Sequence, residues 1–399
     1  MKKKHPLDID HAELTDKHIR LRKIGFFLAL AVAVGAFAVG IINALHVEHG
    51  WSEIRADDGS GLNCAGDFTL QIELGAASGD AAAERRLAIQ VYTRAAVRAW
   101  QLFTPDMEIA DMVNICWLNR HPNQTFEVDP VLYQALQSSS EAGRWLYLGP
   151  LYEMADSLIA SQNDLETLDF DPREGGDAAL MLQTILPFVQ DPDAITLECL
   201  PDNHVCLHVS EEYLTEAEAW GIQRLIDFSW QKNAWIADYI ASSLEEAEFT
   251  AYTLASRDGY VRSGPGEYRQ TVYGWKDDQS FLLTDVLYQG ACAMLTLRSF
   301  PLGAPQEDGY YIRQDHAIRS RFLSVADGLD HPAADAAVLY RKGAGCAELL
   351  MTALPFWIEG KSWDGMDESD SETELLVIQE NSIEPVSVRT LKWEVTGML

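Results

Sequence analysis

The sequence predicts an α+β protein, on three observations. Segments with helical spacing ("AAAERRLAIQVYTRAAVRAWQL", residues 81–102) and segments that alternate like strands ("FTLQIEL", residues 68–74) are mixed along the chain. They lack the regular strand–helix–strand rhythm that marks a parallel α/β sheet. From residue 250 onward strand-like pieces crowd together: "FTAYTLAS", "YRQTVYGW", "SFLLTDVLY", "ACAMLTLRSF" and "GYYIRQDHAI". The chain has 399 residues, 47% hydrophobic and 23% charged, enough to bury one large core. That folded domain is expected over residues 61–399, and no internal repeat of about 20–50 residues interrupts it.

Residues 1–23 carry seven basic and four acidic side chains, a net +3 that leaves −34 for the remainder. Directly after them come nineteen residues without a charge, "IGFFLALAVAVGAFAVGII". Such a stretch is long enough to span a bilayer, and residues 24–45 are expected to form one transmembrane helix. The basic side stays in the cytoplasm by the positive-inside rule. This makes 1–23 a cytoplasmic tail and places the main domain outside the inner membrane, in the periplasmic or extracytoplasmic space. A cleaved signal peptide is the competing reading, but its basic head and apolar core are shorter. Residues 46–60 are expected to be a polar stalk.

Beyond the stalk, the strand at 68–74 and the helix at 81–102 are followed by "DPVLYQALQSSSEAGRWLYLGPLYEMADSLIAS". Its Asp-Pro opens a helix that breaks near Gly149-Pro150. "SQNDLETLDFDPREGGD" is an acidic loop, and residues 215–244 have helical spacing throughout. A helix across 346–354, an acidic loop "DGMDESDSETE" and a late strand "ELLVIQE" complete the chain.

The formal net charge of −31 repels phosphate backbones and argues against nucleic acid as a partner. A basic protein partner or a saline habitat suits it. Six cysteines lie at 64, 116, 199, 206, 292 and 346, most of them in apolar surroundings that suit buried thiols. The exception is "ITLECLPDNHVCLHV". With Asp202-Asn203 as a two-residue turn, Cys199 and Cys206 face each other about 5.5 Å apart, within disulfide reach. His204, Cys206 and His208 also alternate onto one strand face, but ligands two apart on a strand lie about 7 Å apart and rarely converge on a metal.

No dinucleotide fingerprint, phosphate loop, zinc-protease helix or nucleophile elbow occurs. "DESDSETE" lacks the glycine and the terminal glutamate of a calcium loop. His316 in "RQDHAIRS" is expected to be structural. One stretch does offer chemistry. In "GCAELLMTAL" Glu348 and Thr352 lie one helical turn apart on a shared face, a carboxylate and a hydroxyl of the kind that hard cations take.

The order of several segments resembles the FAD:protein FMN transferases, the ApbE-type family. "CAGDFTLQIEL" is similar to that family's first Met-Gly-Thr strand, "DMEIADMVN" keeps Glu108, Ile109 and Asn114 of its acidic motif, and "EVDPVLYQALQSSSEAG" follows its Pro-x-Leu-Tyr helix. Gly149-Pro150-Leu151 matches its Gly-Pro-Leu turn, and "LASRDGYVRS" its Gly-Gly-Asp segment through Gly259 and Arg262. "DFSWQKNAWIAD" resembles its Asp-Leu-Gly-Gly-Ile-Ala-Lys-Gly-Tyr-Ala-x-Asp signature, with Asp227 and Asp238 at the ends. Finally "AELLMTAL" resembles Ala-Asp-Ala-x-x-Thr-Ala-Leu, so Glu348 and Thr352 fall where the family binds magnesium.

The resemblance implies a single ApbE-like domain that handles FAD with Mg²⁺ and attaches FMN to a Thr or Ser of a redox protein. Asp227 and Lys232 are then the candidate flavin contacts, and Glu348 and Thr352 the candidate metal ligands. The sequence departs from the pattern at its most chemical positions. Ser229 and Trp230 stand in place of two glycines, Asn233 in place of the lysine with Lys232 one residue early, and Arg144-Trp145 in place of Phe-Asp. Glu348 is one methylene longer than the aspartate it replaces, which displaces a carboxylate from a magnesium shell of about 2.0–2.1 Å. Three readings follow. The one these departures favour is a non-catalytic subunit of a membrane redox complex, in which Glu348 and Thr352 are a remnant. The others are an active FAD:protein FMN transferase and a flavin-binding module without transfer.

Overall fold

The structure, a computed structural model, describes residues 23–30, 32–34, 49–57, 59, 63–75, 80–161, 170–313, 315–363 and 372–395. Residues 23–30 and 32–34 are helical, with Ile24, Phe26, Phe27, Leu28 and Leu30 exposed. The rest of the expected membrane span lies outside the described residues. Among the described residues no helix is long and apolar enough to cross a membrane.

The frame is an eight-stranded antiparallel sheet whose spatial order is the order of the chain: β1 Gly50–Ile54, β2 Phe68–Leu74, β3 Tyr252–Ser256, β4 Tyr260–Ser263, β5 Cys292–Arg298, β6 Ala336–Lys342, β7 Glu374–Gln379 and β8 Ser382–Ser387. Helices and a small three-stranded sheet of Thr125–Glu127, Ile195–Leu200 and His204–Val209 fill the long excursion between β2 and β3. The helices that position the site are α1 (Ala81–Phe103), α2 (Pro130–Ala142), α3 (Lys232–Glu246) and, between β6 and β7, α4 (Cys346–Trp357). α3 packs against α1, α4 and strands β3 and β4.

Every residue of β5 is buried because the sheet is covered on both faces. Ala293, Leu295 and Leu297 join the core beneath the helices. Cys292 and Met294 join a second core beneath a three-stranded sheet of Glu267–Lys276, Gln279–Gln289 and Lys392–Val395. The period of two along the strand thus feeds two cores at once.

Three expectations are corrected. Gly50–Ile54, expected within the stalk, is the edge strand β1, paired along its length with β2. The helical spacing over 215–244 resolves into two helices, Glu211–Trp220 and α3. The first ends at Gly221, whose φ of +70° is a left-handed cap open to glycine.

The third correction concerns Cys199 and Cys206. Leu200, not Pro201, pairs with His204, so the hairpin loop is Pro201–Asn203 and the register slips by one. Proline has no N–H with which to close a two-residue turn. Cys199 therefore stands opposite Val205 and Cys206 opposite Glu198. Successive strand residues alternate faces, so the two thiols point to opposite sides, and both are free. Cys206 lies beside His208, whose other ring nitrogen meets Glu198 at 2.9 Å. Among the described residues no group of three His, Cys, Asp or Glu side chains could hold a metal ion.

Candidate functional site

Helix α3 divides two clefts. Trp235, Asp238, Tyr239, Ser242 and Glu246 recur at helical spacing along one of its faces. They line a cleft of about 1320 Å³, closed on the far side by Glu348, Met351 and Thr352 of α4 and flanked by Gln134 of α2 and by Arg341. This volume lies above the usual range for a small-molecule site. Lys232 and Asn233, at the head of α3, instead line a second cleft of about 320 Å³ with Asp67, Trp100, Phe103 and Asp106.

In the large cleft, Asp238 holds the start of α4. Its two carboxylate oxygens accept the backbone N–H groups of Cys346 (2.8 Å) and Ala347 (2.9 Å), which the helix itself leaves unpaired. Arg262 approaches the same carboxylate at 3.4 Å and donates to the carbonyl of Ala344. The fit is close enough to require glycine next door, because a Cβ on Gly345 would come 2.5 Å from Asp238 Oδ2. Burial pushes the Asp238 carboxyl above the ordinary carboxylate range; Arg262 and the two amides oppose the push, and the Glu348 charge adds to it.

Glu348 and Thr352 do share one face of α4, as their spacing predicts. Each is already engaged, however. Arg341, the penultimate residue of β6, meets the Glu348 carboxylate at 2.8 Å. The Thr352 hydroxyl donates to the Glu348 carbonyl at 3.1 Å. With Asp238 bound to two amides, neither carboxylate at the start of α4 is free of a cationic or N–H partner. Paired in this way, the groups do not offer a magnesium ion the near-octahedral oxygen set it asks for. A guanidinium stands at the carboxylate a cation would need.

The candidate flavin contacts are not brought together with the metal candidates. Asp227 is only 2% exposed. It accepts the amide of Ser229 at 2.8 Å and pairs with Arg224 at 3.1 Å. Arg224 also reaches Asp106 at 2.8 Å and Asp156 at 2.7 Å, so Asp227 is the buried end of an ion cluster that runs out to the surface at Asp106 and pins the turn before α3. Burial raises its carboxyl, with Arg224 and the Ser229 amide opposing. Lys232 faces the smaller cleft and does not share the pocket of Glu348.

Of the positions that depart from the family pattern, Trp145, Trp230 and Asn233 are buried, while Arg144 and Ser229 are partly covered. Ser229 keeps a left-handed backbone, φ +49°, where the pattern has glycine. Trp230 is 4% exposed and meets Phe322 edge-to-face at 4.8 Å; Phe322 in turn meets Trp357 at 5.6 Å. The space left beside Trp230 is about 20 Å³, so the residues here do not fit a flavin. Arg144 donates to the carbonyls of Val189, Asp191 and Ile195 and lies over the Tyr147 ring at 4.4 Å. His316 pairs with Asp278 at 2.6 Å on the surface.

Sequence reasoning missed two features. One is the Arg341 partner of Glu348. The other is a polar cluster at the smaller cleft, where the Asn233 amide, 1% exposed, donates to Asp258 at 2.5 Å and to Asp67 at 3.3 Å. Burial, and then the neighbouring Asp67 charge, raise Asp258 to about 6.

No protein-family profile matches the chain, and no curated protein matches it either. Solved structures do. The ApbE protein of Thermotoga maritima superimposes with a TM-score of 0.55 at 14% identity, covering 85% of this chain and 97% of its own. The flavin transferase ApbE of Vibrio cholerae gives 0.55 at 12% identity, covering 87% and 97%. A point mutant of the same Vibrio cholerae protein gives 0.52 at 10%, covering 88% and 98%. At such identity the likeness speaks for architecture, and it extends over nearly the full length of each relative. The chain is built on the fold of the ApbE flavin transferases.

Proposed function

We propose that this chain is a membrane-anchored, non-catalytic ApbE-fold subunit that serves in the structure or assembly of a membrane redox complex. The observation that carries the loss of catalysis is the Arg341–Glu348 ion pair at 2.8 Å. Catalysis by positioning needs its whole set of groups in one place. Here the carboxylate has a guanidinium for a partner, Lys232 opens on the other cleft, and Trp230 fills the space a flavin would approach. The anchor, the cytoplasmic N-terminus and the extracytoplasmic domain follow from the uncharged run of 24–42 beside its basic flank. The acidic surface suits a basic partner.

The test is covalent FMN incorporation. The purified full chain, FAD, magnesium and a Thr-containing acceptor peptide are incubated, and flavin fluorescence is read on the denatured peptide. No magnesium-dependent incorporation is expected; incorporation that disappears in Glu348→Ala would establish the transferase instead. A second reading, a flavin-holding module, is favoured by the open 1320 Å³ cleft with Trp235 and Tyr239 on its wall. Stoichiometric flavin retained without transfer would select it. For topology, protease applied to the outer face of cells should digest the domain and leave a small tail fragment; a protected domain would refute this orientation, and a mature protein starting after residue 45 would refute the anchor.

A further inference from the structure

We infer that Arg341 is an internal counter-cation that keeps divalent metal out of the large cleft. Four charged groups meet where β6 turns into α4. Asp238 and Glu348 are the carboxylates, and Arg262 and Arg341 are the guanidinium groups. Each carboxylate has its own partner, Arg262 at 3.4 Å from Asp238 and Arg341 at 2.8 Å from Glu348. The two carboxylates are close enough for the Glu348 charge to act on Asp238.

The two pairs differ in kind. Asp238 is also bound to the first amides of α4, and Arg262 is held by the Ala344 carbonyl, so that pair is part of the frame. Glu348 is half exposed to the cleft, at 49%, whereas Arg341 is mostly covered, at 18%. Its backbone is set by the strand: Arg341 lies opposite Ala293 in the β5–β6 ladder, and its mostly covered side chain carries the guanidinium to Glu348. A permanently charged, five-donor guanidinium answers a carboxylate as a cation would, with a weaker hydration shell to lose than a hard metal ion has.

Without that charge, Glu348 presents an unpaired carboxylate to the cleft beside the Thr352 hydroxyl, while Asp238 stays held by Arg262 and its two amides. Such a set attracts a hard cation. The inference rests on the non-catalytic reading above and names the residue that enforces it.

The experiment is a Mn²⁺ titration of the full chain in detergent, followed by the electron-paramagnetic-resonance signal of the free ion. The proteins are wild type, Glu348→Ala, Arg341→Met, Arg341→Lys and the double variant Arg341→Met/Glu348→Ala. Methionine keeps an alkyl stem of similar reach; lysine keeps the charge. Wild type and Arg341→Lys are expected to bind no stoichiometric Mn²⁺. Arg341→Met is expected to bind one ion tighter by on the order of a hundredfold, the effect of removing a unit charge a few ångströms away at a partly exposed site. The double variant should lose that gain. A fold check by circular dichroism accompanies each protein, and if Arg341→Met unfolds, the comparison is made with Arg341→Gln.

Equal, weak binding by wild type and the neutral variants overturns the inference and leaves the non-catalytic reading untouched. Glu348-dependent binding by wild type overturns both. A gain that survives in the double variant assigns the ion elsewhere and also overturns the inference.

Discussion

Trp230 stands at the head of α3, where a ligand approaching the backbone would need glycine, and its replacement by alanine separates a core residue from a lid over a binding pocket. The indole is 4% exposed and packs edge-to-face on Phe322 at 4.8 Å and 83°. Truncating a buried tryptophan costs about 3–5 kcal/mol in lost transfer energy and cavity, and an aromatic pair of this geometry adds about 0.5–1.5 kcal/mol. The neighbouring space is lined by Asp258, Arg298 and Arg321 as well as by rings, so water can enter the new cavity and recover part of the loss. The net expectation is about 4 kcal/mol. Urea unfolding followed by far-ultraviolet circular dichroism measures it, as a lower midpoint with an unchanged slope. The same variant is titrated with FAD, following quenching of flavin fluorescence. A loss below about 1.5 kcal/mol would refute the packing argument. A gain of saturable flavin affinity would show that the indole merely covers a working pocket.

Three further outcomes are expected. Asp258, raised to about 6, adds stability that is complete below about pH 4 and is lost as pH rises through about 6. Asp258→Asn should flatten that decline by up to about 3 kcal/mol, less to the extent that the side chain is exposed, and an unchanged pH profile of unfolding would refute it. Gly259→Ala should destabilise by about 3 kcal/mol or more in the same urea assay, because φ is +97° and a Cβ would lie 2.0 Å from the Thr296 carbonyl oxygen; a neutral effect would refute the close approach. Cys199 and Cys206 should each take one alkylating group in unfolded, unreduced protein, and a crosslinked peptide spanning "CLPDNHVC" would refute the register.

What the sequence made legible was whatever depends on local periodicity. The strand at Phe68–Leu74, the long α1 and the start of α4 are where alternation and helical spacing put them, because each has one face to bury. The glycines matched to the family pattern also have physical grounds. A Cβ on Gly149 would lie 2.5 Å from the Arg224 carbonyl oxygen, and Gly259 is hemmed in by Thr296. Backbone demands of this kind are written into residue type. The register of the cysteine hairpin was not legible from spacing alone, since counting assumed two loop residues and a proline that cannot donate made it three. β6 was missed because "AAVLYRK" is buried on both faces and does not alternate.

The site shows the same division more sharply. Glu348 and Thr352 could be placed on one face of a helix from their spacing, but what a carboxylate does depends on the charges that tertiary structure brings to it. In this chain the deciding charge is only seven residues away. "YRKGAGCAE" passes from strand to helix through Gly343 at φ +75° and Gly345, so the chain doubles back and sets the end of β6 against the first turn of α4. A strand-terminal arginine followed by a glycine turn and a helix with glutamate in its first turn is a signal that could have been read. It predicts an ion pair across the turn before it predicts a metal site. The consequence reaches the function: in a chain of net charge −31, the two carboxylates beside the start of α4 each meet a guanidinium, so the charge available to a basic partner lies on the surface and not at that end of the cleft. A partner drawn by that surface should therefore still bind when Glu348 is replaced by alanine, and should be released by salt, since exposed charges more than about 10 Å apart are screened at about 0.1 M ionic strength.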